Sequence, residues 1–461
     1  MYSIAMMMQG DKLNVTIADI NNEGEGVVRA GSERFVLFVP DALPGEEAEV
    51  RVVSKKKNYG TAKLLERRST SPDRTAPVCP SFGRCGGCQL QHIAYNAQLK
   101  MKEKTVRDAL ERIGGFHAPK VAPCEPSPSQ WGYRNKASLP VQSFCGERVH
   151  AGFYKKRSHE IIPYTQCAVL DPKINEIARA LLAALKEAGF CGVREGGGPQ
   201  SGLLRHVVIR QARFTEDSLV AVIGSRALSD AETRRLNTVA KKIKGLGGLV
   251  YNINAEPGNF IWGSRTIPIF GASVMTERLG PYKFTFEASS FFQVNSEQAA
   301  ALYECAAKLA LADSPKNILE LYSGTGSLTV FLAANGAAVT AVESWLPAAK
   351  YIKTNAEQNG ITTITHKAAQ AEDIAEELSR GSYDTVVVDP PRTGCDEKVI
   401  AAIIKISPKR VVYVSCNPAT LARDAAKLAQ AGYELQEAHP FDMFPETGHV
   451  ECVVLMSRKD T

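Results

Sequence analysis

The sequence predicts an α/β protein in three parts: a small β-barrel, a mixed α+β region and a C-terminal doubly wound α/β domain. Three observations predict this division. Short strands separated by glycine and proline turns occupy residues 12–65, apolar strands alternate regularly with helices after residue 299, and the stretch between alternates irregularly. A length of 461 residues also exceeds what one ordinary core holds. We expect domains at residues 1–70, 71–285 and 286–461.

The composition is typical of a water-soluble protein without a membrane span. No stretch approaches the roughly 18 to 20 apolar residues of a membrane helix, and the N-terminal sequence MYSIAMMMQGDK has no basic leader. We expect a cytoplasmic monomer with no membrane partner. The 55 lysines and arginines exceed the 49 acidic residues and give a formal charge of +6, which is compatible with a polyanionic partner.

Five short strand-like segments follow one another from Lys12 to Leu65 and predict a small closed barrel. This segment resembles a TRAM domain, a small oligonucleotide-binding-like barrel attached to RNA-modifying enzymes, and the resemblance implies an RNA-binding role. The fourth strand ends in three lysines and the fifth leads to two arginines. Such a charge run indicates either a solvated face or an RNA contact, and it comprises Lys55, Lys56, Lys57, Arg67 and Arg68.

The middle region opens with a cluster of cysteines. The stretch CPSFGRCGGC contains Cys79, Cys85 and Cys88, and Cys167 in YTQCAVLD is a distant fourth thiol. Under reducing conditions such clusters more often hold metal or do chemistry than form disulfides. Four sulfurs suit zinc or an iron-sulfur cluster, and spacing alone does not decide. Radical enzymes that use S-adenosylmethionine carry a different cysteine triad, with three residues between the first two cysteines. This chain has five residues there, which disfavours that class.

A helix is predicted from Leu90 to Arg112, and the strands that follow interleave basic with aromatic residues. This pattern suits phosphate contact combined with base stacking, although one exposed sheet face would give the same pattern. The aromatic members are Tyr133, Phe153 and Tyr154, and the basic members are Arg134, Lys136, Lys155, Lys156, Arg157, Arg205 and Arg210.

In the C-terminal domain, LELYSGTGS joins an apolar strand to a helix through Gly324 and Gly326. Such glycines let a ligand approach the backbone near the start of the helix. Glu343 ends the next strand, where a carboxylate accepts hydrogen bonds from ribose hydroxyls. The third glycine of a dinucleotide fingerprint is missing, which favours S-adenosylmethionine over NAD as the nucleotide ligand.

Two further strands of this domain end in polar loops. Asp389 in VVVDPPRTG precedes two prolines that make the loop rigid. Methyltransferases acting on exocyclic amines resemble this stretch but carry an aromatic residue where this chain has Arg392, so amine methylation is disfavoured. Cys416 in YVSCNP occupies the matching place one strand later, and Pro418 suits the start of a helix. A free cysteine is usually just a small buried residue, but a thiol near a helix N-terminus has a stabilised thiolate.

A thiolate at this place suits one specific reaction. C5 of uracil is a poor carbon nucleophile until a thiolate adds to C6 and creates an enolate, so covalent catalysis divides a hard methylation into easier steps. The intermediate must then lose its C5 proton to a base, and Glu451 in TGHVECVV is the candidate. A glutamate there is more often a surface residue on an edge strand. Gln293 in SSFFQVN can donate and accept hydrogen bonds, although this stretch also suits simple helix capping.

Together, CPSFGRCGGC, FFQVN, DPPRTG, SCNPATLARD and GHVE resemble the RNA uracil-5-methyltransferase family, specifically its 23S rRNA branch with a TRAM barrel and a [4Fe-4S] cluster. The resemblance covers essentially the whole chain and implies a Rossmann-like, S-adenosylmethionine-dependent methyltransferase domain. Ser323 departs from it, since many relatives have cysteine there. The resemblance implies Cys416 as nucleophile and Glu451 as proton acceptor. It also implies cofactor contacts from Gln293, Tyr322, Glu343 and Asp389, and cluster ligation by Cys79, Cys85, Cys88 and Cys167.

Two other functions stay open. A tRNA-directed relative would share the catalytic half, yet that branch typically lacks the barrel and the cysteine cluster. An RNA-binding assembly factor would need the barrel and the basic sheet but no pair of thiol and base. The presence of both Cys416 and Glu451 argues against the assembly factor.

Overall fold

The N-terminal sheet has six strands, in the order β1-β5-β6-β4-β3-β2. Strands β1 and β2 stand at opposite edges although only residues 17 and 18 separate them, so the sheet curls into the predicted barrel. A sixth strand arises because the first predicted strand breaks at these two residues. The computed structural model describes residues 7–29, 35–144, 147–194, 202–256, 258 and 260–459. The strands are β1 (Lys12–Thr16), β2 (Asp19–Ile20), β3 (Gly26–Arg29), β4 (Val36–Val39), β5 (Glu47–Lys55) and β6 (Tyr59–Arg67).

The buried carboxylate of Glu46 joins the barrel to the segment that follows it. Glu46 accepts hydrogen bonds from Nε and Nη2 of Arg74 at 2.6 and 2.8 Å, and from the amides of Leu43 and Ser71. Burial alone would raise the pKa of Glu46, but these hydrogen bonds lower it to about 2. The carboxylate therefore stays ionised and holds the barrel against the segment that carries the cysteines.

The middle region contains helix α1 (Tyr95–Arg112) and a seven-stranded sheet of order β13-β12-β11-β10-β7-β8-β9. Helix α1 begins five residues later than predicted, because the Ala94 amide donates to the Asp73 carbonyl instead of entering a helix. The other elements are β7 (Lys136–Phe144), β8 (Glu147–Tyr154), β9 (Ile161–Pro163), α2 (Pro172–Glu187), β10 (Leu204–Gln211), β11 (Ser218–Gly224), α3 (Asp230–Lys241), β12 (Gly248–Ile253) and β13 (Arg265–Gly271).

Two of the residues predicted to face RNA are instead structural. The guanidinium of Arg210 is 1% exposed and donates to the backbone carbonyls of Ala288 and Ser290. The hydroxyl of buried Tyr133 donates to the Pro445 carbonyl at 3.0 Å. Both polar groups compensate buried carbonyls, so the prediction of RNA contact is wrong for this pair.

A hairpin of β14 (Val274–Leu279) and β15 (Tyr282–Glu287) leads to the last sheet, of order β18-β17-β16-β19-β20-β22-β21. Its strands are β16 (Asn317–Leu321), β17 (Ala338–Glu343), β18 (Ile364–Ala368), β19 (Thr385–Val388), β20 (Arg410–Ser415), β21 (Tyr433–Phe441) and β22 (Glu451–Arg458). Its helices are α4 (Ser296–Leu311), α5 (Ser327–Ala333), α6 (Leu346–Gln358), α7 (Ala375–Leu378), α8 (Glu397–Ile406) and α9 (Pro418–Gln430).

The first five strands in this order are parallel, which confirms the predicted doubly wound α/β domain, but β22 runs antiparallel between β20 and β21. Val412 and Val414 pack towards the core that contains α4 and α5, whereas Val411 and Tyr413 pack towards the core formed by α1, α8 and α9. Burial on both faces explains the continuous apolar runs in the sequence. No helix in the described part of the chain combines the length and apolar character that a membrane crossing requires.

Candidate active site

A cavity of about 550 Å³ opens at the carboxyl ends of the parallel strands. Because these strand ends share one edge of the sheet, loops far apart in the sequence meet there. The structure brings together all six residues predicted to act on the substrate or the cofactor, which are Gln293, Tyr322, Glu343, Asp389, Cys416 and Glu451.

Cys416 lies in the turn between β20 and α9. The Ser415 hydroxyl accepts from the Asn417 amide at 3.0 Å, and the Asn417 side chain caps α9 by accepting from the Ala419 amide at 3.1 Å. The Asn417 side-chain amide also donates to the Arg392 carbonyl at 2.9 Å. These bonds join the turn to the loop after β19, so the half-buried Cys416 has a fixed position in the cavity wall.

Glu451 reaches the same cavity because β22 runs against its neighbour. Ser415, the last residue of β20, pairs with Cys452 in the antiparallel register, so Cys416 just beyond the strand lies next to Glu451. A parallel strand would have brought its first residue to the other edge of the sheet. Glu451 is 4% exposed, and β22 is an interior strand, so the alternative of a surface residue on an edge strand is wrong.

Burial and neighbouring carboxyl groups raise the pKa of both the Cys416 thiol and the Glu451 carboxyl group. Burial raises the pKa of Cys416 to about 11, Glu451 and Asp389 add to this rise, and Arg392 opposes it. Burial also raises the pKa of Glu451 well above its ordinary value. Burial and two neighbouring carboxyl groups therefore oppose the thiolate that a helix N-terminus favours.

Glu343, at the end of β17, is bound to the glycine loop. Its carboxylate accepts from the Gly324 amide at 2.8 Å and from the Trp345 amide at 2.6 Å. Gly324 has a φ of 58° and no atom where a Cβ would lie, so the backbone of this loop is open towards the cavity. Each carboxylate oxygen retains a second lone pair, which leaves Glu343 able to accept from a ligand hydroxyl.

Tyr322 is held by a residue that no sequence motif marks. Its hydroxyl donates to Glu372 at 2.7 Å, and its backbone has a φ of 64°, in the left-handed region that side chains rarely adopt. Burial and acidic neighbours raise the pKa of Tyr322, so the hydroxyl keeps its proton. Glu372 also lines the cavity, but it follows β18, a strand that is not among the predicted elements.

The backbone at Gln293 is held by hydrogen bonds from the middle region. The Asn135 side chain donates to the Gln293 carbonyl at 2.9 Å, and the Asn135 amide donates to the Val294 carbonyl at 2.8 Å. Asn295 of the same stretch caps α4, so capping does not involve Gln293. Tyr303 of α4 is fully buried near Gln293, and no spacing in the sequence distinguished it from a core residue.

A second cavity, of about 290 Å³, is lined by the four predicted cysteine ligands Cys79, Cys85, Cys88 and Cys167. Burial raises the pKa of Cys88 to about 12, and Cys167 and Cys85 add to the rise. Val294 lines this cavity while Gln293 lines the first, so one stretch of backbone separates the two. Among the described residues, no three cysteine, histidine or acidic side chains form an arrangement that holds a metal ion.

Comparison with known proteins identifies two matching family models. Residues 274–459 match tRNA (uracil-5-)-methyltransferase, and residues 7–65 match the TRAM domain. The first match contains the whole C-terminal sheet and the candidate active site, and the second contains the barrel.

The chain is similar along its length to several bacterial proteins. An uncharacterized RNA methyltransferase of Halalkalibacterium halodurans is 38% identical over 458 residues, which cover 99% of each chain. Another, of Clostridium acetobutylicum, is 37% identical over 464 residues and 100% of each chain. Among solved structures, the tRNA (uracil-54, C5)-methyltransferase of Pyrococcus abyssi in complex with S-adenosyl-L-homocysteine aligns with a TM-score of 0.76 and 29% identity, covering 96% of this chain and 100% of that chain.

Proposed function

Since the chain belongs to the RNA uracil-5-methyltransferase family and is an S-adenosylmethionine-dependent RNA methyltransferase, we propose that it forms 5-methyluridine in 23S ribosomal RNA. The proposal includes a covalent adduct between Cys416 and C6 of the target uracil, with Glu451 as the base. The observation that carries it is the register of β20 and β22, in which a thiol and a buried carboxyl group stand opposite each other in one cavity.

In the proposed first step, the Cys416 sulfur bonds to C6 and the C5=C6 electron pair moves into an enolate. The thiol releases its proton to solvent before it attacks, so Glu451 remains free to take the proton from C5. Arg392 supports this ionisation, because it lowers the pKa of Cys416 against the effect of burial. S-adenosylmethionine supplies the methyl group that C5 then takes up.

In the proposed second step, Glu451 removes the proton from C5, the C5=C6 bond re-forms, and the Cys416 thiolate leaves. A raised pKa makes the ionised carboxylate of Glu451 a stronger base than an exposed glutamate. Burial inside the sheet also keeps water away from the intermediate.

The cofactor roles follow from the walls of the cavity. We propose that Glu343 accepts from ribose hydroxyls, using the lone pairs that its bonds to the glycine loop leave over. Tyr322, Gln293 and Asp389 would contact the remaining parts of the cofactor from the same cavity. Burial raises the pKa of Asp389 to about 7, so its carboxyl group can carry a proton at neutral pH and then donate.

We further propose that Cys79, Cys85, Cys88 and Cys167 hold a [4Fe-4S] cluster. The donor set fits this group, because four thiols surround one cavity. Four thiols also suit a zinc ion, and we propose the cluster on the resemblance of the cysteine stretch to the 23S rRNA branch.

The substrate could also be tRNA, and one observation favours this second candidate. The Pyrococcus enzyme, which is named for tRNA uracil-54, aligns with 96% of this chain. A three-part architecture therefore does not by itself separate the two substrates. We propose 23S rRNA on the resemblance of the cysteine stretch to that branch, with residues 1–70 binding RNA, 71–285 carrying the cluster, and 286–461 catalysing the reaction in a cytoplasmic monomer.

Two variants test the reaction. Cys416→Ala should bind RNA and S-adenosylmethionine but form no covalent adduct. Glu451→Gln should attack and transfer the methyl group, and should accumulate a methylated protein–RNA adduct that survives denaturing electrophoresis. Appreciable turnover by Cys416→Ala would disprove the mechanism. Mapping 5-methyluridine in ribosomal and transfer RNA from cells with and without the gene decides between the two substrates.

A further inference from the structure

The β21–β22 loop, residues 442–450, leads directly into Glu451 and contacts all the other parts of the protein. On the barrel side, a Cβ on Gly448 would lie 1.5 Å from the Asn22 carbonyl oxygen, so the two backbones are in close contact. On the α1 side, the buried ammonium of Lys102 pairs with Asp442 and donates to the Phe444 carbonyl at 3.0 Å. Nothing in the proposed chemistry assigns a role to this loop.

Glu446 lies at the centre of the loop and is 1% exposed. Its backbone carbonyl accepts from the amides of Gln89 and Leu90, both at 3.0 Å, immediately after Cys88. Its side-chain Oε1 accepts from the side-chain amides of Gln98 at 3.2 Å and Gln130 at 2.7 Å. The Glu446 amide in turn donates to Oε1 of Gln98 at 3.2 Å.

The backbone of Glu446 indicates that this position is imposed by its partners. Its φ is 69°, in the left-handed region. This conformation is unfavourable for any residue that has a side chain, so it persists only where the surrounding structure holds it. Both Oε1 contacts come from outside the loop, one from α1 and one from the segment that precedes β7. The loop therefore follows this path because α1, the cysteine segment and the middle region fix Glu446.

We propose that Glu446 is a positioning residue for proton removal: it holds the β21–β22 loop in the path that brings Glu451 opposite Cys416. This inference rests on the proposed function and deepens it, because it concerns one step only. Cys416 is fixed separately, through Asn417 and the Arg392 carbonyl. Loosening Glu446 should therefore impair the base and leave attack and methyl transfer intact.

The test compares Glu446→Ala with Glu446→Gln, which keeps an oxygen acceptor for both amide donors. Total RNA from cells that lack the gene is incubated with S-adenosylmethionine and each variant, and both turnover and the adduct on denaturing gels are measured. Glu446→Ala should lose turnover about a hundredfold, as expected for a catalytic group misplaced by about 1 Å. It should also accumulate methylated adduct, with the affinity for S-adenosylmethionine unchanged. Glu446→Gln should restore turnover to within about threefold of wild type, since the acceptor remains.

Two further variants keep the proposal open to refutation. Gln130→Ala removes the shortest bond to Glu446 from a half-buried residue, and it should show a smaller accumulation of adduct even if Glu446→Ala does not fold. Glu434→Ala, on the exposed side of β21, is the matched control and should behave as wild type. Adduct in Glu451→Gln but in neither Glu446→Ala nor Gln130→Ala would overturn the role of Glu446. No adduct even in Glu451→Gln would instead refute Glu451 as the base, whereas appreciable turnover by Cys416→Ala would refute the covalent function itself.

Discussion

Cys416, the residue that follows β20, lies next to Glu451, the first residue of the adjacent antiparallel strand β22, one residue beyond the pair of Ser415 and Cys452. The two residues are 35 positions apart in the chain, and the antiparallel direction of β22 is what brings them to the same edge of the sheet. Burial raises the pKa of both groups. The protonation state of the thiol can therefore be followed through the pH dependence of its reactivity.

Alkylation of Cys416 by iodoacetamide should accelerate with pH. Because burial raises the pKa of the thiol to about 11, the reactive thiolate is a small fraction at pH 7 and should grow about tenfold per pH unit up to pH 9. Mass spectrometry of the peptide that contains Cys416 gives the rate. Arg392→Gln should slow alkylation by no more than about fivefold at each pH, since it removes an exposed charge that lowers this pKa. A rate that is already flat above pH 7 would show that the thiolate forms at neutral pH.

Protein purified without oxygen should be brown and contain iron and sulfide. Cys88→Ser should lose the colour, the iron and part of the solubility, because a thiolate ligand is removed from a group that stabilises the fold. Cys191→Ser is the control, since Cys191 is also half-buried but does not line the cysteine cavity. Colourless protein with stoichiometric zinc would contradict the cluster.

The tip of the barrel should contribute to RNA affinity through charge. Lys56 and Lys57 are exposed in the turn between β5 and β6, and Lys56 lies over the Tyr59 ring at 5.6 Å. Replacing both lysines with alanine should reduce the slope of log affinity against log salt concentration by about 1.4, if each contacts one phosphate of single-stranded RNA. Filter binding at several salt concentrations gives the slope.

Lys353→Ala on the exposed face of α6 is a control for the loss of charge. An unchanged slope in the double variant would show that these lysines only form a solvated face and do not contact RNA. Deleting the barrel up to residue 68 is a less specific test, because it leaves the half-buried Arg74 without Glu46.

Glu46 should stabilise the protein at neutral pH and not in acid. Its folded pKa of about 2 lies below the ordinary value of 4.5, so its stabilisation is complete above pH 4.5 and is lost as the pH falls towards 2. Glu46→Gln should lower the free energy of unfolding by about 3 kcal/mol at pH 7, because it breaks a buried ion pair. Urea unfolding at pH 7 and pH 3 measures both values. The exposed Glu66→Gln should change neither, and an equal loss at both pH values for Glu46→Gln would contradict the ion-pair account.

The positions of Gly324, Asp389 and Cys416 at one site could be predicted from sequence, because each follows an apolar strand and parallel strands end at a shared edge. Glu372 and Tyr303 could not be predicted. Glu372 follows the weakly apolar β18, and Tyr303 stands in an alanine-rich helix where an inward tyrosine is indistinguishable from core. For Arg210 the sequence instead predicted a role that the structure does not support. Its positive charge suggested contact with RNA, whereas its guanidinium donates to buried carbonyls. Which strand neighbours which is set by tertiary packing, and local sequence does not encode it.

The insertion of β22 between β20 and β21 has a consequence for the order of folding. Both neighbours precede β22 in the chain, so a nascent chain that has emerged only as far as β21 exposes two unpaired strand edges facing a gap. Pairing that closes this gap prematurely would exclude the last strand and produce a misfolded sheet. We expect the residues before Glu451 to depend on chaperones during synthesis, and Cys416 to stand without Glu451 until β22 enters the sheet.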